Sequence, residues 1–143
     1  MEIEQLINGS CHCKSVCFSI ARSSLSVRRC YCETCRKLSG SDYSSVARVA
    51  RDKFTVISGA KQLVSYESRP GKQRFYCANC YSPIYVTTNN EPEFLRVRTG
   101  LLDGATQVEV TGHMWVSEKP AWVAIEDDKP IYLDHYDGPP DPL

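Results

Sequence analysis

Long apolar runs are missing from this chain. The longest covers only residues 121–125, far short of the roughly 20 residues that a membrane-spanning helix needs. No charge of one sign dominates: 17 Lys and Arg meet 17 Asp and Glu. That balance argues against a protein held to nucleic acid mainly by phosphate contacts, although a local basic patch is compatible with it. No segment repeats, none is of low complexity, and none sustains an apolar period of 3.6 residues. Paired carboxylates, a Gly-rich phosphate loop and a nucleophile elbow are also missing. The opening residues Met1-Glu2-Ile3-Glu4 are acidic and carry no apolar stretch, so no secretion signal is visible and a reducing, cytoplasmic setting is expected. What remains is 143 residues, 42% of them apolar. This is enough for one globular domain with its own core, covering residues 1–143 and ending in an irregular Pro-rich tail at 136–143.

The pattern that is present is mostly β. Strands are expected at Phe54–Ser58 and 63–67, both rich in strand formers. Residues 94–99 alternate, with Leu95, Val97 and Thr99 on one side and Phe94, Arg96 and Arg98 on the other, the period of a half-buried strand. Residues 106–110 alternate again with Val108 and Val110 inward, and 84–87, 113–116, 122–125 and 131–134 are candidate short strands. Glu33–Ser39 suits a short helical turn. Gly and Pro punctuation between these segments predicts a mainly β fold of coiled antiparallel β-sheets. Trp122 is expected in the core with Lys119 exposed, His113 reads as packing, and Asp127-Asp128-Lys129 reads as a solvated turn.

Cysteine is the abundant exception. Eight of 143 residues is too sparse for a disulfide-stapled miniprotein, and clustered thiols in a reducing setting point to metal or thiol chemistry. Seven fall in three groups: Cys11 and Cys13; Cys30, Cys32 and Cys35; Cys77 and Cys80. The Cys77/Cys80 spacing is that of zinc ribbons. Two pairs make a closed, structural four-thiolate site, and three cysteines make a site with one open position. Spacing alone does not decide which groups combine. Joining Cys11/Cys13 to Cys77/Cys80 leaves the local triple Cys30/Cys32/Cys35 open. In the alternative all seven are structural, with His12 completing a second closed site. Cys17 lies in an apolar stretch and reads as a buried free thiol or as a fourth ligand of the second site. Three thiolates on one zinc leave a formal charge of about −1, a poor acidifier of water but a suitable holder of an incoming thiol.

The residues resemble a family. Gly9-Ser10-Cys11-His12-Cys13, Cys30-x-Cys32-x-x-Cys35-Arg36 with Gly40-Ser41, Phe75-Tyr76-Cys77-x-x-Cys80 with Ser82, and Ser117-x-Lys119-Pro120-Ala121-Trp122 are similar to the glutathione-dependent formaldehyde-activating enzymes, a group that includes centromere protein V. The resemblance implies the coiled β fold shared with a guanine-nucleotide-exchange chaperone (the Mss-four-like fold). It implies a structural zinc on Cys11, Cys13, Cys77 and Cys80, and a second, labile zinc on Cys30, Cys32 and Cys35, the catalytic cysteines. The implied activity is a carbon–sulfur lyase type, joining glutathione and formaldehyde as S-(hydroxymethyl)glutathione. Arg36, beside the triple, is the candidate substrate-binding residue, since a guanidinium pairs with carboxylate. Arg74, Arg96 and Arg98 read instead as one polar sheet face. Lys14 and Tyr81 stand where the family usually has Gly, and Cys17 where a basic residue is common. The competing reading is a non-enzymatic zinc module for a protein or nucleic-acid partner.

Overall fold

The computed structural model describes residues 5–104 and 107–138. Strands β1 (Ile7–Ser10), β2 (Cys17–Ile20) and β5 (Phe54–Ser58) form a three-stranded antiparallel sheet in the order β1-β2-β5. A larger sheet holds β3 (Ser24–Cys30), β4 (Ser44–Ala50), β6 (Leu63–Arg69), β7 (Lys72–Cys77), β8 (Pro83–Thr88), β9 (Phe94–Arg98) and β10 (Gln107–Met114). Its order is β10-β3-β4-β9-β8-β7-β6. All its pairings are antiparallel except β10 with β3. The helix α1 (Glu33–Ser39) connects β3 to β4.

The two faces of the larger sheet have different fates. In β9, Leu95 and Val97 are buried in a core with Phe18, Ile20, Val27, Ala47 and Ile84. Aromatic rings tie that core to the smaller sheet: Phe18 stacks on Phe54 at 5.1 Å, Phe54 meets Tyr85 at 5.4 Å, and Tyr85 stacks on Phe75 at 4.7 Å. Such pairs add about 1 kcal/mol each beyond the apolar area they bury. The opposite face carries Arg96 and Arg98, paired through β4 and β8 with rows that include Arg48, Val46, Val86 and Arg74. The alternation read from residues 94–99 therefore separates a dry face from a charged one as far as Arg98, and Thr99 opens a 3-10 turn instead.

Strands β5, β6, β8 and β9 and helix α1 occupy the segments expected to form them. Other expectations need correction. Val108 is 43% exposed, because β10 is an edge strand whose residues are buried only at Gly112 and His113. Thr106 lies outside the described residues. Strand β10 stops at Met114. Trp115 then takes a left-handed conformation (φ 56°) and a 3-10 turn follows at Val116–Glu118. Residues 122–125 form no strand. Trp122 is 75% exposed, with its Nε1 donating to Asp42, and Val123 fills the core position beside it. Lys119 is half-buried, its ammonium donating to the carbonyls of Pro120 and Val123. Residues 131–134 run as a strap along the end of β10: Tyr132 N donates to His113 O at 2.7 Å and Trp115 N to Asp134 O at 2.8 Å. Of the expected tail, Tyr136 is packed under Arg28, and residues 139–143 lie outside the described residues.

Candidate metal centres and the cationic cavity

The loops that leave β1 and β7 bring Cys11, Cys13, Cys77 and Cys80 together, all four sulfurs lying within 4.8 Å of one another. Cys11 and Cys13 are 3.6 Å apart and Cys13 and Cys77 3.8 Å. A tetrahedral ion with Zn–S bonds of about 2.3 Å needs sulfur–sulfur edges of about 3.8 Å, so this donor set fits a closed thiolate site. His12 contributes only a backbone N–H, to Ser82 Oγ at 3.0 Å, and belongs to neither cysteine group. Ser15 and Ser82 line the group. The Ser15 hydroxyl, 3.0 Å from Cys13 Sγ, is the main cause that lowers that thiol to about 7. The Ser82 hydroxyl, 3.2 Å from Cys80 Sγ, is the main cause that lowers Cys80 to about 5.

Each knuckle closes in the same way. Lys14 N donates to Cys11 O at 3.1 Å and Tyr81 N to Cys77 O at 2.8 Å. Both residues are left-handed, with φ 65° and 64°. Glycine takes this conformation without a steric cost, whereas other residues are strained by it. The departures at Lys14 and Tyr81 therefore leave the turns in place and load strain into them. A third turn, at Gly59 (φ 83°), braces the first knuckle, and a Cβ there would lie 1.9 Å from Ser15 O. Cys17 lies at the start of β2, half-buried, with its Sγ donating to Lys14 O at 3.2 Å. It stands beside the four-cysteine knuckle and is not a fourth donor to the other group.

The second group, Cys30, Cys32 and Cys35, is built locally, with its sulfurs again within 4.8 Å of one another. Cys30 ends β3, Cys32 is the N-cap of α1 and accepts from Cys35 N at 3.3 Å, and Cys35 lies in the first helical turn. Hydrogen bonds from the Cys30 and Cys32 thiols pull Cys35 far below its ordinary value, and contacts with Cys32 and then Cys35 push Cys30 up. The Cys35 sulfur is thus the hydrogen-bond acceptor of the group. Arg74 Nη2 stands 3.8 Å from that sulfur. Among the described residues no fourth protein donor joins the group, which leaves one side open to a guest.

That open side faces a cavity of about 460 Å³. Its walls carry Arg28, Arg69, Lys72, Arg74, Arg96 and Arg98, against only Glu91 and Glu118. Arg74 and Arg98 are 2% and 6% exposed, a costly placement for charges that the Cys35 sulfur offsets only in part. Arg98 Nε and Arg96 Nη1 are buried and find no hydrogen-bond partner among the described residues. Burial pulls Lys72, Arg96 and Arg98 below their ordinary values, a cost that an anionic guest would relieve. The shared sheet face of Arg74, Arg96 and Arg98 is thus the wall of this cavity. Arg36, the expected carboxylate partner, is not on that wall, and its Nε donates to Tyr31 O at 3.1 Å. Alternation in β3 and β7 could have pointed to Arg28, Lys72 and Arg74, because Arg28 shares a face with Cys30 and Lys72 with Arg74.

Behind the triple a polar chain runs from the buried Tyr31 and His113 out to the exposed Asp127. Tyr31 Oη is 2.8 Å from His113 Nδ1, and His113 Nε2 is 2.9 Å from Asp127 Oδ1. His113 is 1% exposed and fully partnered, and Asp127 belongs to this chain and not to a merely solvated turn.

Comparison with known proteins agrees with this geometry. Residues 6–118 match the family described as glutathione-dependent formaldehyde-activating enzyme. A Halomonas elongata protein whose name provisionally assigns it as a glutathione-dependent formaldehyde-activating enzyme is 29% identical over 129 residues, 85% of this chain and 82% of its own length. A Schizosaccharomyces pombe protein described as an uncharacterized lyase is 21% identical over 112 residues, 78% of this chain and 80% of its own. A crystal structure of a Rhodobacter sphaeroides protein superposes with a TM-score of 0.58 at 25% identity, covering 69% of this chain and 90% of that one.

Proposed function

Because the chain belongs to the glutathione-dependent formaldehyde-activating enzyme family, we propose that it catalyses addition of the glutathione thiol to formaldehyde, and the reverse, at Cys30, Cys32 and Cys35. The observation that carries this reading is the open three-sulfur group set in the wall of a cationic cavity. The two cysteine groups divide the work: Cys11, Cys13, Cys77 and Cys80 would hold a structural zinc, and the triple a second, labile one. Zinc at the triple would supply a Lewis-acid position that holds an incoming thiol as its thiolate.

The chain's own residues supply the rest. Arg74 and Arg98, buried beside Cys35, offset the negative charge that gathers when three thiolates receive a fourth. The remaining cavity cations suit the two carboxylates of glutathione, which guanidinium groups bind in bidentate fashion. Holding thiol and aldehyde together replaces a bimolecular encounter with an oriented one. The reaction balances without an oxidant: sulfur bonds to the carbonyl carbon, the C=O becomes C–OH, and the thiol proton ends on that oxygen. Eight free thiols suit a reducing cytoplasm.

Native mass spectrometry of the reduced protein tests the metal assignment. Two zinc ions, one of them lost or bridged when glutathione is added, is the expected result. NMR exchange between glutathione and formaldehyde tests the chemistry. Wild type should accelerate exchange and Cys32→Ser should return it to the spontaneous rate while keeping the fold. A single zinc that glutathione never touches, with no acceleration, would favour a binding module instead.

A further inference from the structure

The family match ends at residue 118, yet the chain beyond it walls the cavity. After Pro130 the strap returns along β10, with hydrogen bonds from His113 N to Pro130 O at 2.9 Å, Val116 N to Tyr132 O at 3.2 Å and Ser117 N to Leu133 O at 3.1 Å. These bonds hold Trp115 in its left-handed conformation, which a bulky side chain adopts only when its surroundings dictate it. The Trp115 ring meets the His135 ring edge-on at 5.0 Å, and both line the cavity. Tyr136 packs edge-on against Tyr132 at 4.9 Å. A Cβ at Gly112 would approach Tyr132 to 3.0 Å and Tyr136 to 3.1 Å, so β10 carries no side chain where the two rings seat. The Tyr136 ring lies 3.6 Å from the Arg28 guanidinium, and both line the cavity.

Resting on the thiol-binding reading above, we propose that this strap determines which thiols the cavity takes. Tyr136 is a positioning residue that holds Arg28 as the anchor for a carboxylate remote from the thiol. Arg28 and Cys30 are two residues apart on β3 and share a face, so their backbone positions are about 6.8 Å apart. A peptide thiol bridges such a gap, since two residues of extended chain reach about 7 Å. A short amine thiol without carboxylates does not. The pocket therefore selects peptide-length, carboxylate-bearing thiols through a segment that lies beyond the family match.

The test is calorimetric binding of glutathione and of cysteamine to the zinc-containing full chain, with zinc content and melting temperature recorded for each variant. Tyr136→Leu and Arg28→Gln are expected to weaken glutathione about tenfold and leave cysteamine unchanged, and Tyr136→Phe to restore glutathione binding by keeping the ring under the guanidinium. Equal weakening of both thiols, or no weakening of either, overturns the assignment. Wild-type protein that binds neither thiol overturns the thiol-binding reading beneath it, an outcome distinct from normal glutathione binding that survives Tyr136→Leu.

Discussion

Tyr81 and Lys14 show how one residue carries a cost that its fold tolerates. A left-handed backbone costs a residue with a Cβ roughly 1–2 kcal/mol, and glycine returns part of any relief through its freer unfolded chain. Tyr81→Gly and Lys14→Gly in the metal-loaded protein should each raise stability by about 0.5–1 kcal/mol, read as a higher urea midpoint with an unchanged slope. No gain at either site would mean that the side chains earn back their strain through contacts. Arg74 carries a different load. Its guanidinium stands 3.8 Å from Cys35, and hydrogen bonds to charged groups contribute about 1.5–3 kcal/mol. Arg74→Met should raise the half-saturating glutathione concentration about tenfold and loosen the metal at the triple, with Cys11, Cys13, Cys77 and Cys80 unaffected. A zinc titration against a chelator separates the two groups.

At the scale of elements, the chain from Tyr31 through His113 to Asp127 ties the cysteine turn before α1 to the end of β10 and the segment after it. Removing the imidazole strands a buried tyrosine hydroxyl and opens a cavity. His113→Ala should therefore cost about 3 kcal/mol of folding stability. The His113 hydrogen bond, first among its causes, holds the Asp127 carboxyl below the ordinary carboxylate range. A carboxyl lowered in the folded state stabilises the fold above its unfolded value of about 3.9, and that contribution fades as pH falls through the folded value. Wild type should therefore lose more stability between pH 4 and lower pH than Asp127→Asn does, in denaturant titrations across that window. Parallel slopes for the two proteins would rule out Asp127 as the group concerned.

For the whole molecule, a net charge of zero conceals a strong asymmetry: six cations face one cavity against two acids. Glutathione affinity should fall as ionic strength rises from 0.01 M to 0.5 M, because exposed parts of that field are screened over about 10 Å at 0.1 M. A salt-independent affinity would place the carboxylates elsewhere. The two metal groups should also part on chelation. The open triple should release its ion first with the fold kept, and loss of the ion from the closed knuckle should unfold the chain, since structural zinc binding is folding free energy. Circular dichroism followed alongside zinc release reads both steps.

Much of this was legible in the residues themselves. The cysteine spacings put seven thiols into metal-ligand range, and they do so because a knuckle is local: two or three residues of chain determine whether its sulfurs can converge. The alternation in β9 separated Leu95 and Val97 from Arg96 and Arg98 for the same local reason, the strand's two-residue period. Arg36 shows that adjacency in sequence to Cys35 says nothing of direction. In α1 its guanidinium turns back to Tyr31 O. Trp122 misled because an aromatic side chain is apolar wherever it lies, and only the packed chain decides whether anything covers it. What the sequence by itself determined is the family, the β character and the three local cysteine clusters, all of which depend on near neighbours. Tertiary structure alone decided that β3, β6, β7 and β9 align their cations into one wall, that Asp127 reaches a buried histidine, and that the chain past residue 118 returns to complete the cavity. Those contacts join residues far apart in the chain, and their formation depends on how the sheets pair.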